Sequence, residues 1–278
     1  MNQKNNISYQ EGAKIHPNSY VDKRAQLGIG VVIQQGAIIG PNVVLGEGTE
    51  VGPNSIIQGK TTIGKNNKIY PQVFIGLDPQ DLKYRGAETE VIIGDNNTLR
   101  ECVTINKATD EGEKTIIGSH NLLMAYTHIG HNCELGNNIV LSNSVQVAGH
   151  VHIDDCAIIG GCLGIHQFVH IGFLAMVGGM TRVVKDVPPF TLAEGHPGKL
   201  RGLNRVGIKR SGLIESGKLD LKLLQKNWNT IFKSNNVLSK SLENVMQDDL
   251  DFASKKLCAF VKESISKNRR GPMPIGNT

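Results

Sequence analysis

An aliphatic residue recurs at every sixth position over most of this chain, and this period restricts what the chain can fold into. Starting at Ile15 and stepping by six, 26 of 29 positions up to Val183 are Ile, Leu or Val. Glycine or asparagine commonly follows within three residues, which is typical of short strands joined by tight corners. The period therefore predicts a parallel β-helix in which three consecutive hexads close one coil.

A coil of this kind is stable only within a stack, because neighbouring coils bury the aliphatic side chains that each coil points inward. The 26 hexads make between eight and nine coils, with one inward aliphatic residue in each hexad. The composition agrees, since 32 glycines and only 5% aromatic residues suit a fold with many turns and a core of small aliphatic side chains.

Two gaps interrupt the aliphatic series, and both are whole multiples of six. The positions of the register that lack an aliphatic residue are Asp81, Ala87 and Glu111. We expect a loop at each gap, at about residues 76–92 and 107–115, after which the coils resume in register. A long loop that interrupts a regular solenoid is more often functional than not.

After Val183 the sequence DVPPF ends the repeat, because proline cannot donate a hydrogen bond to a strand ladder. We therefore predict a β-helix domain over residues 1–189 and a small helical C-terminal domain over residues 190–278. Helical spacing of apolar residues is seen around residues 221–231 and 252–260, and a third short helix is expected near residues 242–246.

The bulk properties limit the compartment and the partners. No run of about 18 apolar residues is present, so we expect no membrane span, and the first ten residues lack the apolar stretch of a signal peptide. Five cysteines without a Cys-x-x-Cys pair fit reduced thiols in a cytoplasmic protein.

The region from Phe190 onward carries 16 Lys/Arg against 8 Asp/Glu, a net charge of +8 within a total of +5 for the whole chain. This surplus fits either an acidic partner or a solvated basic surface, and we expect no nucleic-acid partner.

A coil of three hexads converts sequence spacing into spatial proximity, so several polar residues are predicted to share one edge of the β-helix. Gly149 follows His131 by one coil, and Gln167 follows Gly149 by another. The residues that this spacing places on one edge are His128, His131, Gly149, His150, His166 and Gln167. His152 and His170 each precede a core aliphatic residue, and we interpret them as ordinary corner residues.

Three kinds of chemistry would suit this histidine edge. A neutral imidazole is a general base at neutral pH. Several imidazoles bind Zn²⁺ in the γ-type carbonic anhydrases that share this prism, although no pair here has the spacing expected of that family, and no obvious carboxylate backs the rings. We therefore expect no metal. The third possibility is a set of hydrogen-bonded corner histidines at a subunit interface.

An ordered set of motifs resembles the UDP-N-acetylglucosamine acyltransferases that begin lipid A biosynthesis. QDLKY lies in the first gap, and it is followed by NLLM, HIGHNC, AGHV, HQF, MVGG, DVPPF and GLNRVGIKR. The hexad alone would indicate only a superfamily, whereas the QDLKY loop separates this family from its relatives. The resemblance covers about the whole chain and implies a left-handed parallel β-helix of hexapeptide repeats with a small all-α C-terminal domain.

The resemblance also implies a reaction and a set of residues. An acyl carrier protein would donate a 3-hydroxyacyl chain to the 3-hydroxyl of UDP-N-acetylglucosamine, without a cofactor, in a homotrimer. His131 would be the general base, and the backbone N–H of Gly149 would stabilise the oxyanion. Met176 and Gly179 would set the acyl-chain length, and glycine at 179 predicts a longer chain. Substrate contacts are implied for Gln80, Asp81, Lys83, His128, His150, His166, Gln167, Asn204 and Arg210.

This sequence departs from the family pattern at residues 132, 206 and 211. Asn132 stands where some members carry an aspartate beside the base, and an asparagine can orient the ring without supplying charge. Val206 and Ser211 replace an acidic residue and an arginine that some members carry near the nucleotide. The alternatives are the related N-acyltransferase of the same pathway, a zinc γ-type carbonic anhydrase-like hydrolase, and a β-helix with a purely structural role. The N-acyltransferase usually has a further N-terminal domain, whereas the hexads here begin by Ile15.

Overall fold

The computed structural model describes residues 12–267 and 269–276. The segment inspected for a signal peptide lies outside the described residues. The chain forms short strands over most of its length and four helices near its end. The strands are β1 (Lys14–Ile15), β2 (Tyr20–Val21), β3 (Gln26–Leu27), β4 (Val32–Ile33), β5 (Ile38–Ile39), β6 (Val43–Leu45), β7 (Glu50–Val51), β8 (Ile56–Ile57), β9 (Lys60–Ile63), β10 (Lys68–Ile69), β11 (Phe74–Leu77), β12 (Glu90–Ile93), β13 (Thr98–Leu99), β14 (Thr104–Asn106), β15 (Lys114–Ile117), β16 (Leu122–Leu123), β17 (His128–Ile129), β18 (Glu134–Leu135), β19 (Val140–Leu141), β20 (Gln146–Val147), β21 (His152–Ile153), β22 (Ile158–Ile159), β23 (Gly164–Ile165), β24 (His170–Ile171), β25 (Met176–Val177), β26 (Arg182–Val183), β27 (Thr191–Glu194) and β28 (Lys199–Leu203). The helices are α1 (Arg205–Arg210), α2 (Leu221–Lys233), α3 (Leu238–Met246) and α4 (Phe252–Ser264).

Every third strand pairs in parallel with the next, so the strands form the three faces of a β-helix. The first sheet contains β1, β4 and every third strand to β25, followed by β27 and β28. The second sheet runs from β2 to β26, and the third from β3 to β24. Partners in regular coils lie three hexads apart along the chain, as Lys14 and Val32 do. The β-helix is left-handed, as predicted.

The corners between strands use the left-handed backbone region at residue numbers that are multiples of six. Glycines such as Gly30 and Gly48 take positive φ there, but so do many non-glycine residues, including Asn132 and His150. Asparagine tolerates this region better than most residues. The corner requirement therefore accounts for the glycine and asparagine found three places after many aliphatic positions, as at Gly30 and Asn132.

The core contains two residues from most hexads rather than one. The predicted aliphatic positions, such as Ile105 and Ile129, are fully buried. The residues two places before an aliphatic position, such as Val103 and Val145, are also buried. The prediction of one inward residue per hexad was therefore incomplete, because the second inward position holds threonine, serine or asparagine in some coils and so leaves no simple hydrophobic period.

Two loops leave the β-helix where the aliphatic series breaks. Residues 78–89 connect β11 to β12, so that Lys60 pairs with Glu90, five hexads further along the chain instead of three. Residues 107–113 connect β14 to β15, and Glu90 pairs with Lys114, four hexads further along. The loops pack on each other, since Thr89 Oγ1 donates to the carbonyl of Ala108. They form one layer where the second sheet turns into the third.

Two strands precede the helices at the end of the β-helix. Strand β27 joins the first sheet in parallel with β25, and β28 returns antiparallel to β27. The prediction of helices over residues 190–278 omits this pair of strands, because apolar and polar residues alternate little in their sequence. Helix α2 is anchored by Trp228, which is buried and donates from Nε1 to Thr191 Oγ1 at 3.2 Å. Helix α4 is fixed by Ser264, which donates to the buried carboxylate of Asp186 at 2.7 Å.

Three buried asparagines form a ladder inside the β-helix, between the third and first sheets. Asn67 Oδ1 accepts hydrogen bonds from the backbone and side-chain nitrogens of Asn97 at 2.9 and 3.0 Å. Asn97 Oδ1 in turn accepts from the backbone N–H of Asn121 at 2.9 Å. Each amide also donates to a carbonyl, as Asn97 does to Gly118. The ladder satisfies backbone groups that would otherwise be buried without partners.

We predict that Asn97→Leu destabilises the protein by about 3 kcal/mol, because it leaves buried donors and acceptors on neighbouring coils unpaired. Thermal and urea unfolding followed by circular dichroism would measure this loss. The matched control is Asn96→Gly, since Asn96 is exposed and has a φ of 57°, which glycine adopts at little cost. Equal stability of the Asn97 variant and the wild type would contradict the importance of the ladder.

Candidate active site

A groove with a volume of about 590 Å³ runs along the second sheet to the corner where each coil turns toward the third sheet. Strands β17, β20, β23 and β26 pair in this order and form its wall, with His128 paired to Gln146 and Gln146 paired to Gly164. The predicted site residues that line it are Gln80, His128, His131, Gly149, His166 and Gln167. The structure therefore brings most of the predicted histidine edge into one open cleft.

The hydrogen bonds of His131 determine which ring nitrogen carries the proton. Its Nδ1 lies 2.9 Å from Asn132 Oδ1 and 2.9 Å from Thr109 Oγ1. The Asn132 amide is oriented at both ends, because Oδ1 accepts from the Thr109 backbone N–H and Nδ2 donates to Glu113. Oδ1 can only accept, so Nδ1 of His131 carries the proton. The lone pair is then on Nε2.

Glu113 supplies the negative charge that Asn132 lacks. Its carboxylate accepts from Asn132 Nδ2, which places a charge one side chain behind the His131–Asn132 hydrogen bond. A carboxylate that polarises such a chain stabilises the imidazolium when the ring takes a proton. Glu113 lies in the second loop, and no sequence period marks it; the charged stretch DEGEK is the only signal that could have pointed to it.

Gly149 lies directly against the imidazole of His131. A Cβ at this position would lie 2.4 Å from both Cε1 and Nε2 of His131, which is far inside contact distance. The Gly149 backbone N–H donates no hydrogen bond to any part of the chain that the structure describes, whereas its carbonyl accepts from Phe168. The sequence therefore has glycine here for a steric reason, and the peptide N–H is free beside the ring.

The first loop brings Asp81 of the same chain to the groove. Its Oδ2 lies 3.7 Å from His131 Nε2, and its Oδ1 accepts from the Lys83 backbone N–H. The Asp81 carboxylate therefore lies near the ring, beyond hydrogen-bond distance of Nε2. Lys83 itself has an exposed side chain on the outside of the loop.

His150 extends the edge beyond the groove lining. Its ring lies edge-on to His131 at 5.1 Å between centroids and stacks on Phe168 at 4.8 Å. Burial lowers the pKa of His150, and the nearby His131 lowers it further. Burial is also the main cause of a lowered pKa at His128, again with a contribution from His131. Both rings are therefore biased toward the neutral form beside His131.

The remaining predicted residues lie away from the groove. Asn204 is used within the fold, since its Oδ1 caps α1 through the Gly207 N–H and its Nδ2 donates to the Leu174 carbonyl. Arg210 is exposed at the end of α1. Met176 and Gly179 lie on the first sheet and its corner with the second, across the second sheet from His131.

Three further polar residues of the groove escape the sequence patterns, namely Asn106, Gln146 and Arg182. Asn106 is buried, lines the groove, and has its Oδ1 without a hydrogen-bond partner in the described chain. Arg182 lies on the last strand of the second sheet and also lines the groove. These residues could have been predicted from the sequence only by their place on the same sheet as His128.

Comparisons with known proteins agree with this architecture. Residues 42–77 match the family model described as bacterial transferase hexapeptide (six repeats), and residues 186–273 match UDP N-acetylglucosamine O-acyltransferase, domain 2. The chain is 46% identical over 206 residues to the acyl-[acyl-carrier-protein]–UDP-N-acetylglucosamine O-acyltransferase of Synechocystis sp., covering 74% of each protein. It is 48% identical over 201 residues to the protein of the same name from Gloeothece citriformis, covering 72% of each. A crystal structure of a UDP-N-acetylglucosamine acyltransferase superposes with a TM-score of 0.88 at 37% identity, covering 95% of this chain and 100% of that one.

A left-handed hexapeptide β-helix with a histidine groove and a helical C-terminal region defines a hexapeptide-repeat acyltransferase. The agreement with named relatives goes further. The chain belongs to the family of acyl-[acyl-carrier-protein]–UDP-N-acetylglucosamine O-acyltransferases. The predicted family is thereby confirmed, and these relatives favour neither the N-acyltransferase nor the carbonic anhydrase alternative.

We predict that the protein loses thermal stability as the pH falls below about 6.5, the ordinary histidine value, and that His128 contributes to this loss. Because the folded pKa of His128 is lowered, the unfolded chain binds its proton more readily, so acid favours unfolding in the window below the ordinary value. His128→Gln should show a smaller drop in melting temperature between pH 7.5 and pH 5.5 than the wild type. An equal drop would contradict the assignment.

Proposed function

We propose that this protein transfers a 3-hydroxyacyl chain from an acyl carrier protein to the 3-hydroxyl of UDP-N-acetylglucosamine, the first step of lipid A biosynthesis, without a cofactor or a metal. The observation that carries the proposal is the unprotonated Nε2 of His131, which faces the groove beside the free N–H of Gly149. Family membership supplies the substrates, whose names are those of the relatives.

In the proposed mechanism, His131 Nε2 takes the proton of the sugar 3-hydroxyl as that oxygen attacks the thioester carbonyl carbon. The imidazolium that forms is stabilised by Asp81 at 3.7 Å and by the Asn132–Glu113 chain behind Nδ1. The tetrahedral intermediate then expels the thiolate of the carrier protein, and His131 returns its proton to that sulfur. The new ester and a free thiol are the products.

Gly149 provides the oxyanion donor in this proposal. Its N–H is unused within the described chain and lies against the base, so one oxygen of the tetrahedral intermediate can accept from it. A single preorganised donor of this type contributes about 3 kcal/mol to such reactions. Gln80, His128, His166 and Gln167 line the path of the sugar and the pantetheine arm.

The carrier protein is proposed to dock on the basic surface of the C-terminal region, because acyl carrier proteins are strongly acidic. The basic residues of this surface are Lys199, Arg201, Arg205, Lys209 and Arg210. Arg201 forms an ion pair with Glu194, and Arg205 donates a hydrogen bond to Gln225. Lys209 and Arg210 are exposed at the end of α1.

A homotrimer in the cytoplasm is part of the same proposal. Tyr126 and Met180 expose apolar side chains at the corner between the first and second sheets, which a neighbouring subunit would cover. Lys83 and Arg210 would then act across the subunit boundary.

All five cysteines are free, and burial raises the pKa of Cys133 to about 12, which fits inert thiols in a reducing compartment. No helix among the described residues has the length and apolarity needed to cross a bilayer.

The decisive assay is acyl transfer from 3-hydroxyacyl carrier protein to UDP-N-acetylglucosamine, followed by chromatography of the sugar nucleotide. The wild type should form the 3-O-acyl product, and His131→Ala should lower kcat by about 1,000-fold, within the range that general base catalysis contributes. Glu113→Gln removes the charge but keeps the hydrogen bond, so about a tenfold loss is expected. Full transfer by the His131 variant would overturn the mechanism, and no transfer by the wild type would overturn the function.

A change of acyl-chain preference is predicted for Gly179→Met. Gly179 is exposed and its Cβ position lies 3.3 Å from the Gly161 carbonyl oxygen, so a side chain projects outward at small cost. Methionine should then shorten the preferred donor, measured as the ratio of kcat/KM over a series of 3-hydroxyacyl carrier proteins. Val237→Met adds the same side chain at an exposed position on a different element and should leave the ratio unchanged. An unaltered preference in Gly179→Met would contradict this role.

A further inference from the structure

A second group of histidines lies on the third sheet, away from the groove on the second sheet. Strands β18, β21 and β24 are consecutive there, so Glu134 pairs with His152 and His152 pairs with His170. Their side chains share the outer face of the sheet on successive rungs about 4.8 Å apart. The interpretation of His152 and His170 as ordinary corner residues is therefore wrong, because both lie on strands, where the ladder stacks them with carboxylates.

Asp154 holds both histidines around a single oxygen atom. Its Oδ1 lies 3.0 Å from Nε2 of His152 and 3.0 Å from Nε2 of His170. Its other oxygen accepts from the Phe173 backbone N–H at 3.1 Å, which fixes the carboxylate plane. The two rings lie edge to face at 4.5 Å between centroids. Two nitrogens and one oxygen therefore converge, all within 4.8 Å of one another.

Glu134 contacts the opposite nitrogen of His152, at 3.4 Å between Oε2 and Nδ1. A neutral imidazole carries one proton, and Glu134 favours its placement on Nδ1. With a proton on Nδ1 alone, the Nε2 lone pair faces the Asp154 oxygen at 3.0 Å, so this contact requires a positive charge between the two atoms, supplied either by a second ring proton or by a metal ion. The same pattern, a carboxylate on the outer nitrogen of a ligand histidine, is characteristic of metal sites.

We propose that His152, Asp154 and His170 bind one divalent metal ion of the zinc type. Imidazole nitrogen and carboxylate oxygen are ligands that Zn²⁺ prefers, and three protein ligands leave one position for water. Tetrahedral ligands at zinc distances are about 3.3 Å apart, close to the 3.0 Å between each imidazole nitrogen and the Asp154 oxygen. The charges of Asp154 and Glu134 together balance a divalent cation.

An ion at this position would lie between the third sheet and helix α4. Helix α4 packs over this part of the third sheet, with the Phe260 ring 4.5 Å from that of His170 and Lys256 over the Phe173 ring. The adjacent carboxylate of Asp155 accepts from Asn137 through Oδ1 and is not one of the three converging groups. The ion would therefore stabilise the contact between the β-helix and α4, independently of acyl transfer.

Isothermal titration of the chelator-treated full-length protein with ZnCl₂ tests the site. We expect one equivalent bound per chain with a micromolar or lower Kd, a rise in melting temperature on addition of Zn²⁺, and visible absorption typical of four-coordinate Co²⁺ when Co²⁺ replaces it. His152→Gln and His170→Gln should each weaken Zn²⁺ binding by about 100-fold or more, and Glu134→Gln by about tenfold, as expected for a residue behind a ligand.

The matched control is His120→Asn, because His120 is an exposed corner histidine with a φ of 61° that asparagine tolerates; its Zn²⁺ affinity should equal that of the wild type. His152 is the more exposed ligand, with 44% of its side chain accessible against 13% for His170, so His152→Gln keeps the test valid if His170→Gln does not fold. Absence of binding at micromolar Zn²⁺ would overturn the proposal. Stoichiometric binding retained by the His152→Gln variant would also overturn it and would locate the ion elsewhere.

Discussion

The hydrogen bonds between successive coils are the interaction on which the rest of this structure depends. Each short strand pairs in parallel with strands one coil away on either side, and the corner peptides continue the pattern, as where the His150 N–H donates to the His131 carbonyl. No strand of two residues would persist alone, because its few hydrogen bonds cannot offset the entropy of ordering the backbone. Stacking supplies both the missing partners and the buried aliphatic core. It also brings residues that are three hexads apart in the sequence next to each other. The residues of a surface site therefore recur along the chain at intervals of one coil.

The groove shows how a regular scaffold acquires chemistry through its irregular parts. The coils provide His131 and Gly149 one above the other, and the absence of a side chain at Gly149 makes room for the ring. The tautomer of that ring is determined by the second loop. Thr109 and Glu113 of the second loop orient Asn132, which in turn directs the proton of His131 to Nδ1. The rigid β-helix fixes position, and the loops fix the electrostatics.

Two histidine clusters on neighbouring faces of the same β-helix differ in their surroundings. In the groove, burial lowers the pKa of His128 and His150, and their rings are near other rings and hydroxyl groups. On the third sheet, His152 and His170 meet carboxylates at hydrogen-bond distance. Neutral imidazoles suit proton transfer, whereas imidazoles with carboxylates behind them suit a cation. The residues placed beside the rings thus give the two histidine clusters different chemical environments.

The sequence by itself determined the coil length, the left-handed β-helix through its family motifs, the two gaps and the alignment of His131 with Gly149 and Gln167, because these follow from a fixed period and an ordered set of motifs. It did not reveal the second inward position, where the buried residues vary in polarity, or the strands β27 and β28, which follow no period. Only the tertiary structure decided that Glu113 backs Asn132, that Asn204 caps a helix, and that His152 and His170 converge on Asp154. These outcomes depend on loop conformation and on the direction of side chains across separate coils, which spacing along the chain does not encode.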